Sequence, residues 1–132
     1  MRGKTPRTVT HWQDIPAVPI NAFKDLDLTC TPSSQCGRVF MTSGTTRGDV
    51  KGRHYHPSLR VYDASMRLNF ERQLMSQKSK IRIGILFPTV DMMPNSSLAH
   101  YLQLALAHFG TPNSQYFMGP SGLDIKGLAQ AL

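Results

Sequence analysis

The residues whose types and order could do chemistry lie between Val39 and His54. An apolar run, Val39-Phe40-Met41, leads into Thr42-Ser43-Gly44-Thr45-Thr46-Arg47-Gly48-Asp49-Val50-Lys51-Gly52-Arg53. Hydroxyls, glycines and cations in that order describe a loop for a polyphosphate. Gly44 and Gly48 lack a Cβ, so the backbone there can approach a ligand closely. Successive N–H groups can then converge on anionic oxygens. Thr42, Ser43, Thr45 and Thr46 add hydroxyl donors, and Lys51 and Arg53 add charge. The competing reading is a Gly/Thr-rich surface turn after a strand.

The spacing is not that of the common nucleotide loop, G-x-x-x-x-G-K-[ST]. Three residues separate Gly44 from Gly48, and Lys51 is followed by Gly52 rather than a hydroxyl residue. It is similar to the loop of adenylate-forming enzymes, S-G-T-T-G-x-P-K-G. Ser43-Gly44-Thr45-Thr46 is intact and Lys51-Gly52 closes the loop. Arg47 is an extra residue, standing where the wider superfamily has glycine, and Val50 stands where proline is usual.

The elements that must position this loop follow from pattern. Residues 11–24 carry Pro16 and Pro19, which exclude a regular helix and favour an extended path. Trp12, Ile15, Val18 and Phe23 are expected to pin that path to the core. Residues 25–29 are expected to form a short strand and residues 31–35 a turn. Pro57 opens a helix whose apolar face is Leu59, Tyr62, Met66, Phe70 and Leu74, ended by residues 76–80. Residues 81–87 are β-branched and apolar, which predicts a strand covered on both faces. Asn95 and Ser96 precede a second helical period, Leu98, Tyr101, Leu102, Ala105 and Phe109, stopped by Gly110 and Pro112. A weak strand over 115–118 and a last helix from Gly122 or Leu123, with Asp124 in its first turn, complete the chain. Strands alternating with helices define an α/β fold class, a mixed sheet flanked by helices. The strand-to-helix passage over 42–57 is where such folds bind phosphates.

The composition sets outer bounds. The 132 residues suit one domain, 1–132, with residues 1–10 a flexible basic arm. No apolar run approaches membrane-spanning length, and residues 1–10 lack the apolar stretch of a secretory signal. A cytoplasmic location is the expectation. The formal charge of +7 is concentrated between Arg47 and Arg82, which suggests a polyanionic partner. Cys30 and Cys36 lack metal-site spacing and are read as reduced, small, buried residues. His54-x-His56 has no third ligand nearby in sequence, so no metal site is assigned.

With these residues in view, the chain resembles the acyl-protein synthetases, the fatty-acid-activating ligases of the bacterial luminescence fatty-acid reductase system. The likeness rests on Trp12-x-x-Ile15-Pro16-x-x-Pro19, Phe23-Lys24, Ser43-Gly44-Thr45-Thr46 and His54. Tyr62, Ser65 and Pro94-Asn95-Ser96-Ser97-Leu98 also resemble that family, and the likeness spans roughly residues 12–110.

The resemblance implies the N-terminal part of the large domain of an adenylate-forming enzyme. It implies ATP and Mg²⁺ as cofactors, a fatty acid as substrate, and transfer of the acyl group to a protein cysteine and on to an acyl-reductase partner. Thr42, Ser43, Gly44, Thr45, Thr46, Gly48 and Lys51 are the expected ATP-binding residues; no catalytic residue is assigned. Relative to that family the chain reads as truncated, a partial adenylation domain inactive alone, without the acyl-accepting cysteine. An open sheet edge would favour self-association.

Three alternatives remain, one of them an inert remnant with no independent function; the other two are functional. One is a fragment similar to the aryl-acid–CoA ligases, which share the loop. The other is a non-catalytic basic module for nucleotides or nucleic acid. Against the second, Tyr62, Phe70, Tyr101 and Phe109 fall on apolar helical faces rather than among exposed cations, so no specific nucleic-acid partner is expected.

Overall fold

The structure is a computed structural model that describes Thr5, residues 7–43 and residues 50–131. Strand β1, Arg38–Met41, pairs antiparallel with β2, Arg53–His56. The register sets Arg38 opposite His56 and Met41 opposite Arg53. The glycine-rich stretch therefore joins two strands of a hairpin, and the helix begins only after the second. Arg53-His54-Tyr55-His56 has no apolar run to announce a strand. Its partner β1 supplies the edge that makes it one, and the buried ring of Phe40 anchors the pair.

Helix α2, beyond α1 at Ala22–Asp25, spans Arg60–Phe70 and continues into a π-helical turn, Glu71–Met75. Met66 and Phe70 are buried, as the period requires. One turn later the wider π geometry advances the inward position by a residue. Met75 is 1% exposed, and Leu74, expected on the apolar face, is 58% exposed. Ser76, at φ 50°, ends the turn.

Helix α3, Ser97–Phe109, starts at Ser96, whose Oγ accepts the Ala99 N–H at 3.2 Å. It stops at Gly110, whose N–H donates to Leu106 O at 2.9 Å. A Cβ on Gly110 would lie 2.5 Å from that same carbonyl oxygen, so glycine suits this stop. Helices α2 and α3 pack through Met66, Phe70, Met75, Ala105 and Phe109. The rings of Phe70 and Phe109 stack at 4.9 Å. Ile81 and Ile83 lie against this cluster.

The segment after α2 forms β3, Gly84–Ile85, parallel to β4, Gln115–Tyr116, with α3 as the crossover. Ile81 bridges Gly110 in the same sense. The expectation of cover on both faces is corrected here. Ile85 is buried, but Leu86 is 52% exposed, so one face remains open. A second hairpin pairs β5, Met118–Gly119, with β6, Gly122–Leu123, and leads to α4, Ile125–Ala131. Asp124 precedes α4 rather than lying within it, and its Oδ1 accepts the Gly127 N–H at 2.8 Å.

The class is mixed α/β, with the strands paired two by two among the described residues rather than in one sheet. Residues 25–29 do not form the expected strand: α1 occupies Ala22–Asp25, and the chain then runs extended without strand pairing. Trp12, Ile15 and Val18 are exposed at 77%, 61% and 56% and do not pin the connector. Phe23 does so, stacking on His54 at 4.6 Å. Cys30 is exposed and Cys36 half-buried, both free thiols, because this stretch runs outside the helical core. Among the described residues, no helix is long and apolar enough to cross a membrane.

Candidate phosphate-binding loop and its cleft

Of the residues expected to bind ATP, Thr42, Ser43 and Lys51 are described; Gly44, Thr45, Thr46 and Gly48 lie outside the described residues. The loop has a closed neck. The Thr42 N–H donates to Gly52 O at 3.0 Å, and the Gly52 N–H donates to Thr42 Oγ1 at 2.9 Å. Gly52 is buried. A Cβ there would stand 3.3 Å from Thr42 Cγ2 and 3.6 Å from Phe23 O, so a side chain would force the neck apart.

A second tether fixes the neck to α3. The Met41 N–H donates to Asn95 O at 2.8 Å, and the Asn95 amide lies 3.8 Å from Met41 Sδ. The Asn95-Ser96 turn that caps α3 is thereby held against the root of the loop. The positive end of a helix dipole sits there, where it favours an anion. The spacing of Asn95-Ser96-Ser97 predicts a helix start, but nothing local in the sequence links it to Met41.

Between these elements lies a cleft of about 480 Å³. Thr42, Ser43 and Lys51 form its polar side, and Phe87, Met92, Met93 and Leu98 its apolar side. Met92, Met93 and Leu98 are more than 40% exposed, although they are large apolar residues. No carboxylate lines the cleft among the described residues. The arrangement can take a molecule with an anionic head and an apolar body. Mg²⁺ usually binds through substrate phosphates with few protein ligands. Here Thr42, Ser43, Asn95 and Ser96 are the oxygen-bearing side chains that line the cleft, which fits a metal arriving on polyphosphate. Among the described residues, no three His, Cys, Asp or Glu side chains gather to hold a metal themselves.

A second cluster went unseen in the sequence. Phe40 lies within 5.2 to 5.7 Å of the His56, Tyr62 and His100 rings. His100 Nε2 and Asp63 Oδ1 are 2.8 Å apart, joining α3 to α2. The Tyr62 hydroxyl donates to Ser97 O at 3.1 Å. Burial first, then the Tyr101 and Asp63 charges, raise the Tyr62 pKa despite the Ser97 bond. Helical spacing alone places Tyr62 on the inner face; the meeting of α3 with the hairpin depends on long-range packing.

No family model, curated protein or solved structure matches the chain.

Proposed function

We propose that residues 42–52 hold the phosphates of ATP in an acid-activating ligase that resembles the acyl-protein synthetases, acting in the cytoplasm as the N-terminal part of an adenylate-forming domain. The observation that carries this reading is the cleft. Thr42, Ser43 and Lys51 line it together with the apolar Phe87, Met92, Met93 and Leu98, and Ser43 and Lys51 belong to the S-G-T-T…K-G pattern of the sequence.

In this reading a fatty-acid carboxylate attacks the α-phosphorus of ATP. The bond to the bridging oxygen breaks, pyrophosphate leaves, and the acyl-adenylate forms. The acyl group passes to a protein cysteine and then to a reductase partner. Lys51 and the backbone donors of 43–48 hold the β- and γ-phosphates as charge builds on the leaving group, where oriented donors contribute most. Mg²⁺ brought on the phosphates would supply countercharge there, with Thr42 and Ser43 as neighbouring oxygen-bearing side chains. The apolar wall receives the body of the acid, and its methionines adapt to a flexible chain.

The test is ATP–pyrophosphate exchange dependent on a fatty acid and Mg²⁺, with the adenylation domain supplied whole. Gly44→Val and Thr45→Ala should each lower exchange strongly; loss of one such donor costs on the order of 3 kcal/mol. Exchange that is unchanged in both variants rejects the loop assignment. Exchange supported by aryl acids and not by fatty acids moves the substrate class to the related aryl-acid ligases.

A further inference from the structure

We infer that a second cleft, at the end of the β1–β2 hairpin away from the glycine-rich loop, binds an oxyanion group, a phosphate or carboxylate, through Arg38, Ser58 and Gln103. This does not depend on the function proposed for the loop. The cleft, about 440 Å³, is lined by these three residues together with His56 and His100. Three elements converge on it. Arg38 opens β1 and stands opposite His56, the last residue of β2. Ser58 follows two residues later in the chain. His100 and Gln103 stand three apart on α3, a spacing that shares a helix face.

The cleft is rich in donors that lack acceptors. The Arg38 guanidinium lies over the Phe40 ring at 6.0 Å, and its Nε is buried with no protein partner among the described residues. That nitrogen is itself closed to solvent; Arg38 lines the cleft, so its permanent charge is offered there. Arginine's planar fork suits the two oxygens of a phosphate or carboxylate. Ser58 Oγ accepts the Arg60 N–H at 3.3 Å, which leaves its own hydroxyl proton to donate. The Gln103 side chain is exposed and has no hydrogen bond among the described residues. The neighbouring carboxylate, Asp63, is engaged by His100, and no acidic side chain lines the cleft among the described residues. A permanent arginine charge with no described carboxylate lining the same cleft is the electrostatic condition for an anion.

Inorganic phosphate and acetate, titrated separately into the isotopically labelled full chain at fixed pH and low ionic strength, test this by NMR. We expect saturable shifts of the Ser58 amide, the Gln103 side-chain amide and Arg38 Nε–H. Arg38→Met should weaken the affinity at least tenfold. Gln103→Leu, on an exposed helix position, should weaken it severalfold with the fold undisturbed. Thr45→Ala in the glycine-rich loop should leave it unchanged. Equal response to acetate assigns the site to carboxylates as well as phosphates; response to phosphate alone assigns it to phosphate. Absent or unsaturable shifts, an affinity unchanged in both Arg38→Met and Gln103→Leu, or shifts abolished by Thr45→Ala would overturn the inference.

Discussion

Thr42 Oγ1 accepts the Gly52 N–H at 2.9 Å, across a connection of nine intervening residues. The hydroxyl that the sequence offers to a phosphate also closes the neck of the loop. Its own proton remains available for a ligand oxygen. One side chain thus fixes where the loop begins and faces the cleft.

Thr42→Val keeps the shape and removes the acceptor, leaving the N–H of buried Gly52 unpaired. Destabilisation of about 1–3 kcal/mol is expected, whereas Thr42→Ser restores most of it. Urea unfolding of the three proteins measures this. A Thr42→Val midpoint equal to wild type would show that the neck bond contributes nothing.

The π turn gives two adjacent residues opposite weights. Met75→Ala removes a core side chain and should cost about 2–5 kcal/mol. Leu74→Ala, at the position a continued α-helix would bury, should change stability by no more than about 0.5 kcal/mol. Thermal unfolding of both variants separates them. A larger loss for Leu74→Ala would mean that α2 continues without the π turn.

Tyr62 links packing to alkaline pH. Its folded pKa is raised above the ordinary 10.0, chiefly by burial, so the neutral phenol is favoured in the folded chain. Above the unfolded pKa the unfolded chain releases this proton more readily. The associated stability is therefore complete below about pH 10 and is lost as pH rises through the folded pKa. Tyr116, also raised by burial, contributes in the same direction. Tyr62→Phe should cost about 1 kcal/mol at neutral pH through the lost bond to Ser97 O. It should also make the fall in melting temperature above about pH 9.5 shallower. An identical alkaline slope would contradict the assignment.

Helix α3 was legible because its capping serine, its apolar period and its stop at Gly110 all agree locally. Residue types alone nominate residues 42–51 as a phosphate loop; the described residues bear only on its neck, where Thr42 meets Gly52. The second strand of the hairpin was not legible. Arg53-His54-Tyr55-His56 is a strand because β1 lies beside it, and pairing of that kind leaves little local trace. The exchange of Leu74 for Met75 depends on one widened turn that a uniform helical period cannot register. Trp12, Ile15 and Val18 are core types by composition, yet nothing in the described fold covers them.

Those exposed residues yield a further expectation. Trp12, Ile15, Val18 and Ile20 present large apolar surface along one short connector, a feature that favours association. Purified residues 1–132 should be oligomeric or aggregate in light scattering at micromolar concentration. Trp12→Ser combined with Ile15→Ser should shift the distribution toward monomer. A concentration-independent wild-type monomer would refute this.

The most direct test of the loop's role is a calorimetric titration of the protein with Mg²⁺-pyrophosphate, comparing wild type with Lys51→Gln and Gly44→Val. The account predicts saturable binding by the wild type. It predicts roughly tenfold or greater weakening in each variant, consistent with loss of a charge-assisted contact worth about 1.5–3 kcal/mol. No saturable binding, or equal affinity in all three proteins, would contradict it.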